Sequence, residues 1–224
     1  MNSSRTAADG ARIYSRLLLR VYDFLIMGVL SPYVWRCSPA HYHQLYRDLM
    51  SPNHADIGVG TGYCLNQCKY VPGKLRLGLF DLQKNCLVHS ARRLARFAPE
   101  TYQCNALEPL PVKCNSFDSI GLGGILHCIP GEMVVKGKVF DSIKSLMKPG
   151  AKIFGYTILN QGVEKTFVSC LVYGVLYHLK VINGHHDSVR ELSTELRKRF
   201  VRVETKVIGC VGFFSASQPF NEHQ

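Results

Sequence analysis

No two cysteines stand in a C-x-x-C pair, although the chain has nine of them spread along 224 residues. That spacing gives zinc no ligand set, and no metal site is expected. Acidic residues are scarce: 16 Asp and Glu against 27 Lys and Arg leave a net charge of +11. The basic residues are scattered, and the densest group, Arg92, Arg93 and Arg96, has the spacing of a solvated helix face, so nucleic acid is not the expected partner. Long apolar runs are also missing. Leu17–Leu30 is interrupted by Arg20 and Asp23, and Phe167–Ile182 is short and carries His178 and Lys180. Neither reads as a transmembrane span. The one membrane role left open is peripheral attachment through an amphipathic face. No secretory leader opens the sequence, so a cytoplasmic location with reduced thiols is expected.

What is present is a glycine-rich turn around which the chain is organised. Ala55–Ile57 reads as a short strand; Gly58, Gly60 and Gly62 follow at alternate positions; a helix is expected from Tyr63 to Lys69. Glycines let the chain turn sharply and bring its backbone against a ligand at a helix N-terminus. The nicotinamide fingerprint G-x-G-x-x-G needs glycine at position 63, where Tyr63 stands. Leu75–Phe80 reads as a second strand ending in Asp81, a carboxylate placed to accept both hydroxyls of a ribose. Phe117–Leu122 reads as a further strand, followed by Gly123 and Gly124 and by Leu126-His127-Cys128-Ile129-Pro130. Lys148-Pro149-Gly150-Ala151 leads into a strand over Lys152–Tyr156.

The run Asp56-x-Gly58-x-Gly60-x-Gly62, then Asp81, Phe117-Asp118-Ser119-Ile120 with Leu126-His127-Cys128-Ile129-Pro130, and Lys148-Pro149-Gly150-Ala151, resembles the ordered motifs of class I S-adenosylmethionine (SAM)-dependent methyltransferases. Ala151 stands in place of that family's second glycine. The resemblance covers roughly residues 50–159 and is nearest to small enzymes that tailor natural products, more distantly to ubiquinone and menaquinone C-methyltransferases. It implies an α/β fold: a Rossmann-like seven-stranded sheet with helices on both faces, its last strands forming an antiparallel edge hairpin. It implies SAM as cofactor and S-adenosylhomocysteine as product. Asp56, Gly58, Gly60, Gly62, Asp81, Asn105, Ala106 and Gly121 are the residues it assigns to the cofactor, with Asn105 standing where many relatives have Asp.

One domain is expected over residues 1–224: an N-terminal helical lid (1–50), a SAM-binding core (51–159), a substrate-cap insertion (160–188), and a C-terminal helix and hairpin (189–224). Residues 11–26 have helical periodicity, broken at Ser31-Pro32, and a second helix runs from about Pro39 to Met50 with Ser38 as N-cap. The family places such helices over its ligands, which makes Tyr14, Tyr22 and Trp35, with Tyr156 from strand five, candidates to line an acceptor pocket. Phe167–Leu179 is apolar nearly all round, the pattern of a helix that is buried or that roofs an apolar pocket. His127, after strand four, is the candidate general base, since an imidazole titrates near neutrality. The loop after strand four lacks the [DNS]-P-P-[FYW] run of amino-methylating nucleic-acid enzymes, which favours a small-molecule acceptor. The alternatives are a methyltransferase-fold cyclase or pericyclase that keeps SAM unreacted, an RNA methyltransferase, and a binding protein that has lost the cofactor. A monomer or a homodimer fits equally.

Overall fold

The computed structural model describes residues 18–112 and 114–220. Tyr14 lies outside them. Seven strands form one sheet in the order β3-β2-β1-β4-β5-β7-β6. The central five are β1 (Asn53–Ile57), β2 (Arg76–Asp81), β3 (Glu100–Gln103), β4 (Phe117–Gly123) and β5 (Met147–Ile158). They pair in parallel, with Ala55 opposite Gly78 on one side and Ile120 on the other. β6 (Phe200–Ile208) and β7 (Val211–Pro219) form the antiparallel hairpin, β7 pairing with β5. Gly209 makes the turn with φ +57°, and a Cβ there would strike the Trp35 carbonyl oxygen, so only glycine fits. The strand order reverses direction beside β1, and the crevice outside the carboxyl ends of β1 and β4 is where open α/β sheets bind ligands.

Helices cover both faces. One face packs Phe117, Ile120 and Ile153 against α5 (Met133–Lys136), α6 (Lys138–Lys144) and α8 (Val189–Arg197). Residues 134–147 read as one helix in the sequence; the structure divides it at Gly137, where a Cβ would strike the Glu195 carboxylate of α8. The other face packs Leu77, Leu79 and Phe154 under α2 (Pro39–Leu49), α3 (Tyr63–Asn66) and α4 (Lys84–Arg93). Ser38 caps α2 as expected, its Oγ accepting from Ala40 N–H. α3 is shorter than its sequence pattern, ending at Asn66.

The largest departure lies at the start. α1 (Leu18–Asp23) does not stop at Ser31-Pro32 but continues as a π-helix through Phe24–Val34, with Trp35 N–H bonding Leu30 C=O. Pro32 has no N–H to give, yet the wider coil carries the chain past it. α7 (Phe167–His178), capped by Thr166, packs beside this segment. The two helices form a roof over the crevice.

Candidate active site

Two pockets open at the carboxyl ends of β1 and β4 and share Gly58, Gly60, Gly124, Cys128 and Val181. The first lies between β2, β3 and the 3-10 turn Leu126–Cys128. Phe80, Asp81, Leu82, Asn105, Ala106, Leu107 and Ile129 line it. Asp81 is pre-positioned: Oδ2 accepts from Gly60 N–H at 3.0 Å and Oδ1 from Gln83 N–H at 2.8 Å. Burial raises its pKa, and the two backbone bonds oppose the rise. Asn105 is folded into its own turn, Oδ1 accepting from Leu107 N–H and Nδ2 donating to Glu108, so its oxygen is already engaged.

The three glycines of the turn do different work. All have positive φ. A Cβ on Gly60 would meet nothing within 4 Å, so Gly60 alone faces open pocket. A Cβ on Gly58 would stand 2.8 Å from Ile125, and one on Gly62 would be 3.1 Å from Leu94. Gly58 and Gly62 therefore admit neighbouring side chains, while Gly60 leaves room for a ligand. Gly121, assigned to the cofactor by resemblance, lines neither pocket; Gly123 and Gly124 do. Gly121 lies one layer below, where a Cβ would sit 2.8 Å from Asp56 Oδ2 and 3.1 Å from His54 Nε2. Its role is to make room for that buried pair.

The second pocket runs from Asp56 and the glycine turn to the roof. Its floor holds Tyr42, Tyr46 and Tyr156; its roof holds Tyr22, Ile26, Met27 and Leu30 from the N-terminal segment and Leu176, Val181 and Ile182 from the insertion. Two of the proposed acceptor residues, Tyr22 and Tyr156, are thus brought to one cavity, together with Trp35. Tyr46 donates to Asp56 Oδ2 at 2.7 Å, and His54 Nε2 lies 3.5 Å from the same oxygen. Burial, with Asp56 beside it, drives the Tyr46 pKa up; burial does the same to Tyr156 and Tyr42. These phenols stay neutral donors. Asp23, the other carboxylate of the pocket, accepts from Thr61 Oγ1 at 2.6 Å and pairs with Arg93 at 2.6 Å. Arg93 also donates to Thr61 C=O, so it is a clasp between roof and glycine turn and not part of a solvated face.

His127 lines this pocket but does not have a base's environment. Burial first, and Lys136 second, depress its pKa to about 3. Its Nδ1 lies 3.3 Å from Ile158 N–H, which can only donate, so Nδ1 accepts and the neutral ring carries its proton on Nε2. Thr157 Oγ1 is equally close to Nδ1. With its proton on Nε2 the ring faces the pocket as a hydrogen-bond donor, where a general base was expected.

No family model matches the chain. Curated relatives do. It is 34% identical over 208 residues to demethylluteothin O-methyltransferase of Streptomyces thioluteus, covering 93% of this chain and 90% of that one. It is 33% identical to the physcion biosynthesis cluster O-methyltransferase of Aspergillus chevalieri, covering 94% and 95%. An N-methyltransferase of Penicillium aethiopicum is 35% identical, over 83% of this chain and 78% of that one. The chain belongs to the class I SAM-dependent small-molecule methyltransferases. Solved structures agree on the fold of this methyltransferase. Phosphoethanolamine N-methyltransferase 2 of Haemonchus contortus, in complex with SAM, superposes with a TM-score of 0.72 at 14% identity, over 97% of this chain and 61% of that one. The CurJ carbon methyltransferase superposes at 0.58 over 73% and 47%, with 13% identity.

Sequence reading missed several pocket residues of the methyltransferase: Asp23, Met27, Leu30, Tyr42, Tyr46, Thr61, Cys128 and Val181. Asp23 alone carried a signal, as a lone acid in an apolar helix. The described residues hold no helix long and apolar enough to cross a membrane.

Proposed function

We propose that the chain holds SAM across the two pockets and methylates an acidic hydroxyl, phenolic or enolic, of an apolar ring-bearing small molecule. SAM supplies a methyl group activated on a sulfonium. The residues fit it: Asp81 is a carboxylate acceptor at the end of β2, Gly60 leaves its Cβ position empty beside it, and Ala106 and Leu107 close an apolar slot for a flat base. Asp56, fixed by Tyr46, stands on the acceptor side of the shared wall, where the amino-acid end would lie. Gly124 and Cys128, shared by both pockets, would border the methyl group.

The observation that carries the choice of acceptor is the charge state of that second pocket. Asp23 is paired with Arg93 and bonded by Thr61, and Asp56 is bonded by Tyr46 and set toward the amino-acid end of SAM, which leaves no further carboxylate in the described lining for an acceptor ammonium. Tyr156 is a neutral phenol and His127 a neutral ring with its proton on Nε2, both suited to donate to an oxyanion. With no group in the described lining poised to take a proton near neutrality, the acceptor arrives ionised, drawn by a chain of net charge +11. The donors orient it and the roof excludes water.

The test is a rate–pH series with labelled SAM and phenols of graded acidity. The midpoint of the rising limb should follow each phenol's own pKa. A midpoint fixed near neutrality for every phenol would restore a protein base, and faster transfer to amines than to phenols would overturn the acceptor class.

A further inference from the structure

The roof is apolar on its outer surface as well as on its inner one. On α7 and its C-cap, Val168, Leu171, Val175 and Leu179 recur at helical spacing, all half exposed or more, and Phe167 at the helix start is 84% exposed. Beside it the N-terminal segment exposes Val21, Leu25 and Phe24, the last at 74%. None of these side chains lines either pocket. An apolar surface spread over two adjacent helices is more than the scattered exposed leucines of an ordinary monomer.

Charge decides what covers it. Residues 18–36 hold one acid, Asp23, and it is turned inward to Thr61 and Arg93. Residues 161–180 hold one acid, Glu164. The same two stretches hold Arg20, Arg36, Lys165 and Lys180; Arg36 and Lys165 are exposed and each lies within electrostatic reach of Cys210, with Lys165 also donating to Asn160 Oδ1 at 3.0 Å. Two copies of a chain of net charge +11 would meet here like charge against like. A negatively charged bilayer offers the opposite sign and an apolar interior together.

We propose that this outer face seats the enzyme on an anionic lipid surface, with Phe24 and Phe167 entering the headgroup boundary and Arg36 and Lys165 among the cations that meet the lipid phosphates. The proposal does not depend on the acceptor's chemistry, because binding is measured without SAM or acceptor. The experiment is co-sedimentation of the full chain with vesicles of phosphatidylcholine alone and of phosphatidylcholine mixed with phosphatidylglycerol, at low and high salt. The chain should sediment with the mixed vesicles and be released as salt rises. The double variant Phe24→Asp, Phe167→Asp should lower the partition by on the order of tenfold or more, with thermal midpoint and SAM affinity unchanged. Lack of sedimentation, equal binding to neutral vesicles, or undiminished binding of the double variant would overturn it. So would a concentration-dependent dimer, seen by analytical ultracentrifugation and abolished by the same substitutions, with no vesicle binding, since the face would then belong to a second copy.

Discussion

The two pockets meet at one wall but are built in opposite ways. The pocket we assign to adenosine is assembled from the loops that follow β1, β2, β3 and β4, each hanging directly from a strand end, joined by Val181 of the insertion. The acceptor-side pocket borrows its roof from a π-helix at the start of the chain and from an insertion after β5. The first is held by the sheet. The second is held by a few polar contacts that pin remote helices to the sheet's neighbours. Substitutions that loosen those contacts should damage the acceptor side and spare the cofactor side, while substitutions in the strand-end loops should do the reverse.

The largest effect is expected at the anchor of the insertion. Lys136 of α5 donates to Asp187 at the insertion's end, and both side chains are fully buried. Burial pulls the Lys136 pKa down and pushes that of Asp187 up, and their mutual attraction opposes both shifts. Lys136→Met leaves a buried carboxylate without its partner, at a cost of about 3–5 kcal/mol. Chemical denaturation should show this loss, and Lys136→Met with Asp187→Leu should recover much of it. A single variant as stable as the parent would mean that the insertion needs no anchor.

On the other side of the wall, Asp81→Ala removes the carboxylate that receives Gly60 N–H and that we assign to the ribose. SAM affinity measured by calorimetry should fall by about 1.5–3 kcal/mol, with little change in acceptor KM. Gly60→Val should also abolish binding, because it fills the open position and forces a branched residue to φ +53°. Parental SAM affinity in either variant would move the cofactor away from this turn.

His127 gives a smaller, pH-dependent signal. Its folded pKa of about 3 lies below the ordinary value of 6.5, so the folded chain resists a proton that the unfolded chain accepts. The stability it contributes is complete above pH 6.5 and is lost as pH falls toward 3. At pH 5 the loss is about 2 kcal/mol relative to pH 8, or roughly 4–8 °C in Tm. His127→Gln should flatten that part of the Tm–pH curve. A parallel curve would show that the ring takes up its proton freely in the folded chain.

The same contrast explains what was legible in the sequence. The positions of Asp56, Gly60 and Asp81 at strand ends and in the turn were readable because a strand end followed by a tight turn constrains consecutive residues at once. Gly121 lines neither pocket because glycine also serves to admit Asp56 and His54 from the neighbouring strand, and spacing does not distinguish the two uses. His127 was legible as a position but not as a chemistry: its tautomer depends on Ile158 N–H, 31 residues away and brought close only by β5. The helix Phe167–His178 could not be oriented from its pattern, since apolar residues occupy both its pocket side and its exposed side. The continuation through Pro32 was hidden because proline signals a stop wherever an α-helix is assumed.

The smallest effect is expected at the clasp, and it separates the two pockets most finely. Asp23 on the roof is held by Thr61 of the glycine turn and by Arg93 of α4, with side chains 17% and 25% exposed for the ion pair. A pair so placed is worth about 1 kcal/mol, the upper end for partly exposed ions. Asp23→Asn keeps the shape and the bond from Thr61 but removes the charge that draws Arg93. Released on this side, the roof should open more often, and acceptor KM should rise about fivefold, the equivalent of that energy. SAM affinity should change far less, because Asp81 and Gly60 take no part in the clasp. In Arg93→Met the same rise is expected, and the double variant should add little to either single one, since both remove one interaction. Fully additive effects, or a loss of SAM affinity equal to the loss in acceptor KM, would show that the clasp supports the glycine turn itself and that the two sides of the wall are not held independently.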